Sequence, residues 1–284
     1  MEVDNPVAPP AAKKSRKSNS VSTPQAQATR NASTSSSSGR RSETAEADKA
    51  IKSPNRSSAA AVEPSGEIYG IIGLGIMGTS ILENLIGNGH EVVIYNRDQV
   101  QCEKFPNCTI ALTPREVFEQ AQITFIVVSD SDAVKEVVCD GTNGIIAAET
   151  SGLDKGLVMF SSIDCETSTD MQNALMIKGS VRYLEAQLQG SREAAKSGDL
   201  IVIASGDKSL FDDSKKVFEA ISKNTYFLGE EIGTAIKMNL VIQTMAGVQL
   251  AALAEALSLA DTLGLQQRDI LEIISLSNLN SEFI

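Results

Sequence analysis

The sequence predicts an α/β fold: a doubly wound, largely parallel sheet, preceded by a disordered tail and followed by the start of an all-helical domain. Three observations predict this fold. Apolar runs of strand length alternate with helical patterns from Ile68 to Gly229, as in parallel sheets with helices on both faces. The first 65 residues contain no Phe, Tyr, Leu or Trp. Beyond Gly229 a long segment without Pro is apolar on nearly every helical face.

Residues 1–65 form the first predicted region, a disordered, basic and Ser-rich tail. They carry 10 Lys/Arg and 6 Asp/Glu, a net charge of +4. Their apolar side chains are too few to offset the conformational entropy lost on folding. Lys13, Lys14, Arg16 and Lys17 form a compact basic cluster. Such a cluster is typical of nuclear-import signals and of contacts to DNA phosphates, and a solubilising linker is the alternative interpretation.

The stretch from Ile68 to Arg97 opens the sheet and carries the strongest motif. A short apolar run leads into Gly73, Gly75 and Gly78, which fit G-x-G-x-x-G, and a helical segment then precedes a second apolar run. In such a unit the glycines permit a tight turn, let the backbone approach a pyrophosphate, and let helix and strand pack closely. A glycine-rich turn without a ligand is the alternative. We predict a Rossmann-type dinucleotide site whose loop consists of Gly73, Leu74, Gly75, Ile76, Met77 and Gly78.

The end of the second strand indicates which dinucleotide binds. NAD sites usually place Asp or Glu about twenty residues after the glycines, where the carboxylate holds the ribose 2′-hydroxyl. Here Asn96 stands 18 positions after Gly78, and Arg97 follows. Without a carboxylate nothing repels a 2′-phosphate, and a guanidinium can bind one in bidentate fashion. We predict NADP(H) in preference to NAD(H). A solvated turn at the strand end is the alternative.

Strands and helices alternate in the prediction as far as Gly229. One helix is expected to start at Thr113, with Thr as the N-cap, Pro114 in the first helical position and Glu116 closing a capping box. Further helical patterns lie near residues 131–138, 166–177 and 209–221. The strands are expected at residues 68–72, 92–95, 108–111, 124–128, 157–160, 182–185, 200–204 and 225–228.

Three regions follow from these patterns. The tail covers residues 1–65, an NADP-binding Rossmann domain covers 66–230, and residues 231–284 hold a long interdomain helix and the start of a helical domain. Between Glu231 and Leu263 there is no Pro, and apolar residues occupy nearly all faces of a helix. We therefore predict one long helix that is buried on most sides. A second helix is expected near Gln266–Ser275.

Composition bounds the function. Residues 66–284 carry 15 basic and 30 acidic side chains, a net charge of −15, and a body this acidic is a poor general binder of phosphate backbones. The four cysteines form no CxxC pair and no zinc spacing, which favours reduced thiols and no metal site. No signal peptide is expected, because the first residues lack an apolar h-region. No transmembrane span is expected, because no run of about 18 uninterrupted apolar residues occurs. His90, the only histidine, is interpreted as an ordinary strand-end residue.

The order of the motifs resembles the β-hydroxyacid dehydrogenases. GLGIMG is followed by NR, FSSIDCET, LEAQLQGSREAAKSGDL and, after EEIG, the long helix, across about residues 67–284. The resemblance implies a Rossmann domain joined to a large helical domain that builds dimers and tetramers. Only the start of that helical domain is present, so we expect a fragment of a homo-oligomer. The resemblance also implies cofactor contacts at Ser129 and at Ser162, which takes the Thr position of the family's S-T-I motif.

Three positions depart from the catalytic pattern that the resemblance implies. The serine that holds the substrate corresponds to Gln189, and the catalytic lysine and a later asparagine correspond to Asn239 and Gln243. Asn has no titratable proton near neutral pH and cannot act as the general acid in carbonyl reduction. Lys237 is two residues away, a rotation of about 200° along a helix, and should point away from the cleft. We predict no catalytic residue.

The resemblance is closest to a nuclear, chromatin-associated member of the family. It implies a catalytically inactive protein of the nucleus that binds nucleosomes, through DNA and histones, and supports transcription. Its NADP(H)-binding fold would serve as a scaffold and oligomerisation module. The alternative is an active NADP-dependent β-hydroxyacid dehydrogenase that reduces glyoxylate or a semialdehyde. A redox sensor that binds NADP(H) and changes partners is a third hypothesis. No membrane partner is expected.

Overall fold

The structure is a computed structural model that describes residues 66–149, 154–179 and 181–279. The predicted disordered tail of residues 1–65 lies outside the described residues, and so does its basic cluster of Lys13, Lys14, Arg16 and Lys17. The predictions made for that segment therefore stay predictions.

One eight-stranded sheet forms the centre of the described chain. All eight strands expected from the apolar runs are present, and the sixth extends furthest beyond its predicted end. The strands are β1 (Ile68–Ile72), β2 (Glu91–Tyr95), β3 (Thr109–Ile110), β4 (Ile123–Ile126), β5 (Lys155–Met159), β6 (Val181–Gln189), β7 (Leu200–Gly206) and β8 (Ser222–Phe227).

The strands lie in the order β3-β2-β1-β4-β5-β6-β7-β8. Neighbours from β3 to β6 are parallel, β7 runs antiparallel to β6, and β8 is parallel to β7. A parallel order of 3-2-1-4-5-6 is that of dinucleotide-binding Rossmann sheets, so the predicted fold class is confirmed. Because the order reverses between β1 and β4, a crevice opens at the carboxyl ends of these two strands.

Helices connect the strands, and the N-cap predicted at Thr113 is confirmed, whereas Glu116 bonds to the residue before the cap rather than to the cap itself. Thr113 Oγ1 accepts a hydrogen bond from the N–H of Glu116 at 3.1 Å, and Glu116 Oε2 accepts one from the N–H of Leu112 at 2.8 Å. The helices are α1 (Ile76–Gly87), α2 (Pro114–Gln120), α3 (Ser131–Cys139), α4 (Cys165–Lys178), α5 (Arg192–Ser197), α6 (Lys208–Asp213), α7 (Lys215–Ile221), α8 (Thr234–Thr262) and α9 (Gln267–Leu276).

Two apolar layers cover the two faces of the sheet. Because successive residues of a strand point to opposite faces, Ile71 belongs to one layer and Ile72 to the other, and Phe125 and Ile126 divide in the same way. Residues of α1, α6 and α7 complete the first layer, and residues of α2, α3 and α4 complete the second. Helices on both faces confirm the predicted double winding.

One helical prediction was wrong in detail, and three short helices of the described chain were missed. The helix expected over residues 209–221 is two helices, α6 and α7, which meet at the buried Ser214. Helix α5 and two short 3₁₀ helices, Gln99–Lys104 and Ile145–Ala147, were not predicted. These elements are too short to display a full apolar period, which is the signal that sequence patterns provide.

The prediction that the long helix is buried on most sides was wrong for the described chain. In α8 Ala235, Ala246 and Ala260 are the buried residues, because the helix packs mainly on β6, β7 and α9 and most of its length faces outward. By length and composition α8 also meets the criteria for a membrane-crossing helix, with a mean hydropathy of 1.5 in its most apolar window. The same criteria are met by core helices of proteins that cross no membrane.

Candidate functional site

The turns after β1, β2 and β4 meet at the carboxyl edge of the sheet and form a cleft of about 370 Å³. The cleft lies where the strand order reverses, the position at which open α/β sheets bind ligands. Sequence reasoning placed five of its lining residues there, each from a different feature of the motif or the strand ends. They are Gly73, Gly75, Asn96, Arg97 and Ser129.

The three motif glycines meet three different demands. Gly73 has a φ of +103°, and a Cβ there would lie 2.3 Å from the carbonyl oxygen of Val127. At Gly78 a Cβ would lie 2.0 Å from the carbonyl oxygen of Gly73, so only glycine lets the helix approach the turn. At Gly75 no atom lies within 4 Å of the added Cβ. That open space lies at the start of α1, where backbone N–H groups and the helix dipole favour an anion.

Asn96 joins the glycine turn to the end of β2. Its Oδ1 accepts a hydrogen bond from the N–H of Leu74 at 2.9 Å, and its Nδ2 donates to the carbonyl oxygen of Asp98 at 3.0 Å. Arg97 is exposed beside it and makes no ion pair within the described ranges. Asn96 therefore holds the cleft in shape, and the guanidinium of Arg97 stays available to a ligand.

Carboxylates that sequence reasoning missed line the same cleft as Arg97. Among the described lining residues Arg97 is the cation, and Asp98, Glu136 and Asp140 are the anions. Two N–H groups, those of Thr142 and Asn143, hold the pKa of Asp140 below its usual range. Glu136 and Asp140 were missed because they come from α3 and the turn after it, which fold back over the cleft. No local motif marks them.

The other predicted cofactor residues lie near the cleft without lining it. Leu74 is buried, Ile76 is exposed on the outside of α1, and Met77 and Gly78 lie in the first turn of that helix. Ser162 is exposed after β5. Ser129, which does line the cleft, donates a hydrogen bond to Asp130, and that hydroxyl together with the N–H of Ala133 holds the pKa of Asp130 below its usual range.

A second group of side chains meets where β6 faces α8. Asn239 Nδ2 donates to Gln187 Oε1 at 3.0 Å, Gln189 Nε2 donates to Asn239 Oδ1, and Gln243 Nε2 reaches Gln189 Oε1 at 3.5 Å. We call Gln187, Gln189, Asn239 and Gln243 the amide cluster. Sequence reasoning identified three of them, and Gln187 was missed. The structure brings all four into one hydrogen-bonded chain.

Lys237 takes no part in the amide cluster. Its ammonium lies 3.2 Å from Glu231 Oε1, and the side chain is exposed. This agrees with the helix geometry, because residues two positions apart, such as Lys237 and Asn239, are rotated by about 200°.

Residues 68–229, more than half of the chain, match the sequence profile of the NAD binding domain of 6-phosphogluconate dehydrogenase. The chain belongs to this family, the β-hydroxyacid dehydrogenases. The resemblance drawn from the order of the motifs is therefore confirmed.

Curated relatives carry a nuclear name. The chain is 45% identical over 218 residues to cytokine-like nuclear factor N-PAC of Anopheles gambiae, which covers 76% of this chain and 38% of that protein. It is 35% identical over 225 residues to the human protein of the same name, covering 78% of this chain and 40% of that protein. The chain thus spans about two fifths of the length of these relatives.

Solved structures share the fold. Mycobacterium tuberculosis 3-hydroxyisobutyrate dehydrogenase with L-serine has a TM-score of 0.65 at 21% identity, over 77% of this chain and 73% of that one. Psf3 in complex with NADP+ and 2-OPP has a TM-score of 0.69 at 22% identity, over 76% and 75%. At these identities the likeness concerns the fold alone.

The dinucleotide cleft and the amide cluster differ in how well they fit the chemistry of a β-hydroxyacid dehydrogenase. The glycine turn and the open space at Gly75 fit a dinucleotide, whose nicotinamide ring carries the hydride in this family. Asn239 lies inside a cluster of four neutral amides. Within the described part of the chain no group of three His, Cys, Asp or Glu side chains is arranged to hold a metal.

Proposed function

We propose that this chain is a non-catalytic dehydrogenase homologue that binds NADP(H) and acts on chromatin. The observation that carries the proposal is the amide cluster. At the position of a proton donor, Asn239 hydrogen-bonds to Gln187 and Gln189. None of the four amides titrates near neutral pH, so none can act as a general acid. Reduction of a carbonyl needs a proton as well as a hydride, and general acid catalysis contributes about 10²–10⁴-fold to such reactions.

The cleft supports the cofactor part of the proposal. The glycine turn leaves space for a pyrophosphate at the start of α1, and Arg97 offers a bidentate partner for a 2′-phosphate. The finer preference for NADP(H) over NAD(H) rests on that one guanidinium and on Asn96 at the position that usually holds a carboxylate, and the three carboxylates that also line the cleft oppose it.

The chromatin part rests on two features of different kinds. The relatives named above are called nuclear factors. The tail carries the basic cluster of Lys13, Lys14, Arg16 and Lys17, whereas residues 66–284 have a net charge of −15. Contacts with nucleosomal DNA would therefore come from the tail, with the acidic body better suited to basic histone segments. We place the protein in the nucleus, on nucleosomes, and as a homo-oligomer.

A turnover assay tests the non-catalytic part. The full-length protein should oxidise no NADPH with glyoxylate or a small semialdehyde, and Asn239→Lys should produce measurable turnover. Gln249→Lys, which adds the same charge elsewhere on α8, is the matched control and should produce none. Rapid turnover by the unchanged protein would overturn the proposal in favour of the reductase alternative.

A nucleosome gel shift at several salt concentrations tests the chromatin part. We expect residues 1–284 to bind with a steep dependence on salt. Basic side chains that bind DNA phosphates release condensed counterions, and this release becomes less favourable as the salt concentration rises. A chain that starts at Gly66 should lose the binding. If neither chain binds at low salt, the tail is a linker and the chromatin function fails.

A further inference from the structure

The amide cluster is connected to the wall of the dinucleotide cleft through Ser161. The N–H of Val128, a cleft-lining residue, donates to Ser161 Oγ at 2.8 Å. The carbonyl oxygen of Ser161 lies 3.5 Å from Gln187 Nε2, the first amide of the cluster. One residue at the end of β5 therefore contacts both the turn after β4 and the chain of amides that leads to α8.

The direction of the hydrogen bonds in the cluster is set at Ser161. A backbone carbonyl can only accept, so Gln187 must present its Nε2 to Ser161 and its Oε1 to Asn239. Asn239 then donates to Gln187 and accepts from Gln189, which in turn accepts from Gln243. Hydrogen bonds aligned head to tail polarise one another, most strongly where water is excluded, and Gln187 is 1% exposed.

Helix α8 is held to the sheet at two places of different strength. At its start, the buried carboxylate of Glu185 accepts the N–H of Gly233 at 2.8 and 2.9 Å, and Ser205 Oγ accepts the N–H of Ala235 at 2.9 Å. Further along, the polar attachment is the amide cluster, through Asn239 and Gln243. With its start fixed, the cluster and the apolar packing on β6 and β7 together set the orientation of this mostly exposed helix.

We infer that the amide cluster couples occupancy of the dinucleotide cleft to the docking of helix α8 on the sheet. The inference rests on the proposed function in requiring that a dinucleotide binds. A ligand that contacts Val128 and Ser129 restricts the turn after β4. That turn is hydrogen-bonded to Ser161, and Ser161 in turn accepts the hydrogen bond of Gln187. A coupling of this kind is reciprocal, so whatever loosens α8 must weaken dinucleotide binding by the same factor.

Hydrogen–deuterium exchange of residues 236–246 in the full-length protein, with and without NADP+, tests the coupling, and titration calorimetry measures NADP+ affinity in parallel. We expect bound NADP+ to slow exchange in this part of α8 by about fivefold or more, the lower end of typical coupling. Asn239→Leu and Gln187→Leu should abolish that protection and weaken NADP+ binding by a similar factor. Gln249→Leu removes an α8 amide outside the cluster and should retain both.

The outcomes separate this inference from the proposed function. If NADP+ binds and exchange over residues 236–246 is unchanged, the coupling is refuted and the cofactor proposal stands. Protection that persists in Asn239→Leu also refutes it. If NADP+ does not bind, both fall. Because Gln187 is buried, Gln187→Leu could fail to fold, and the half-buried Asn239 then provides the deciding variant.

Discussion

At the scale of single residues, Gly75 and Gly78 have different roles: we assign Gly75 to ligand binding and Gly78 to the packing of the fold. A Cβ at Gly75 meets no atom within 4 Å, whereas one at Gly78 lies 2.0 Å from the carbonyl oxygen of Gly73. The second glycine is thus required by the packing of α1 on the turn, whereas under the proposed function the first is required by the ligand. A motif read from sequence assigns both to one fingerprint and cannot tell the two requirements apart.

Alanine variants of Gly75 and Gly78 should differ both in stability and in dinucleotide binding. Gly78→Ala should lower the free energy of unfolding by about 1–3 kcal/mol, the usual cost of overpacking. Gly75→Ala should leave thermal stability nearly unchanged and abolish or strongly weaken dinucleotide binding, measured by calorimetry. Gly87→Ala, in the last turn of α1 with open space around it, is the control for both. Equal destabilisation by Gly75→Ala and Gly78→Ala would contradict the assignment.

Arg97 carries the predicted preference between cofactors. Its exposed guanidinium is the cation among the described cleft residues, and charge-assisted hydrogen bonds contribute about 1.5–3 kcal/mol. Arg97→Ala should therefore weaken NADP+ binding roughly 10- to 100-fold and leave NAD+ binding nearly unchanged. Arg115→Ala, which removes an exposed arginine paired with Glu119 on α2, is the matched control. A parallel loss for both cofactors would show that Arg97 does not contact the 2′-phosphate.

His90 makes stability depend on pH below about 6.5. Its ring packs edge-on against Tyr69, and neither ring nitrogen has a hydrogen-bond partner in the described structure. Burial, and then the charge of Lys216, lowers the pKa of His90 below 6.5. The unfolded chain therefore binds a proton at higher pH than the folded one, so stability is lost as pH falls below about 6.5.

The variant His90→Phe keeps the ring contact and removes the titration. Denaturant melts from pH 7.5 to 5 should show the wild type losing stability relative to His90→Phe below about pH 6.5. Carboxylates with lowered pKa values, such as Asp130 and Asp140, act at lower pH because their ordinary value is 3.8. Identical pH profiles for the two proteins would refute the role of His90.

At the scale of elements, the start of α8 depends on a carboxylate from another element. Gly233 provides no side-chain cap, and Glu185 of β6 accepts its N–H and the hydroxyls of Ser168 and Ser205. A buried acceptor at a helix N-terminus satisfies a free N–H group and interacts favourably with the positive end of the helix dipole.

Glu185→Ala should therefore destabilise the protein more than a surface substitution does. It leaves buried N–H and hydroxyl groups without an acceptor, at a cost of about 1–3 kcal/mol for each group. The free energy of unfolding from denaturant melts checks this, and hydrogen exchange should rise first near Gly233. Glu193→Ala, on the exposed surface of α5, is the control. A loss no larger than that of the control would refute the anchoring role.

The sheet could be predicted from sequence because its signals are local. Each strand is an apolar run such as Ile123–Ile126, bounded by polar or helical residues, and the glycine turn fixes where the ligand cleft opens. The amide cluster was accessible only in part. Gln189, Asn239 and Gln243 stood out through departures from a family pattern. Gln187 lies in the same motif as Gln189 but was not singled out, and its link to Ser161 exists only in three dimensions.

Helix α8 was misjudged for a different physical reason. Apolar residues on all sides predict burial, yet burial depends on what packs against the helix. In the described chain β6, β7 and α9 are its main neighbours. The periodicity of apolar residues predicts which faces of a helix are apolar. It does not predict which part of the protein packs against those faces.

At the scale of the whole molecule, this exposed apolar surface leads to an expectation about assembly. Val241, Met245 and Val248 follow i, i+4, i+7 spacing and are 67%, 59% and 60% exposed. Asn239, Gln243 and Ala246 follow the same spacing two residues earlier, on the face that meets the sheet. Contiguous exposed apolar surface on a soluble protein usually marks an interaction site. We expect the stripe of Val241, Met245 and Val248 to mediate self-association.

Replacing that stripe tests the expectation. The triple variant Val241→Gln, Met245→Gln and Val248→Gln should weaken self-association at least about tenfold, since a loss of 1.4 kcal/mol already does so. Its thermal stability as a monomer should stay unchanged because none of the three side chains is buried. Leu276→Gln, at an 84% exposed position in α9, is the control. Sedimentation over a range of concentrations measures the equilibrium. A wild type that stays monomeric throughout, or a triple variant that associates as the wild type does, would show that the stripe serves another contact.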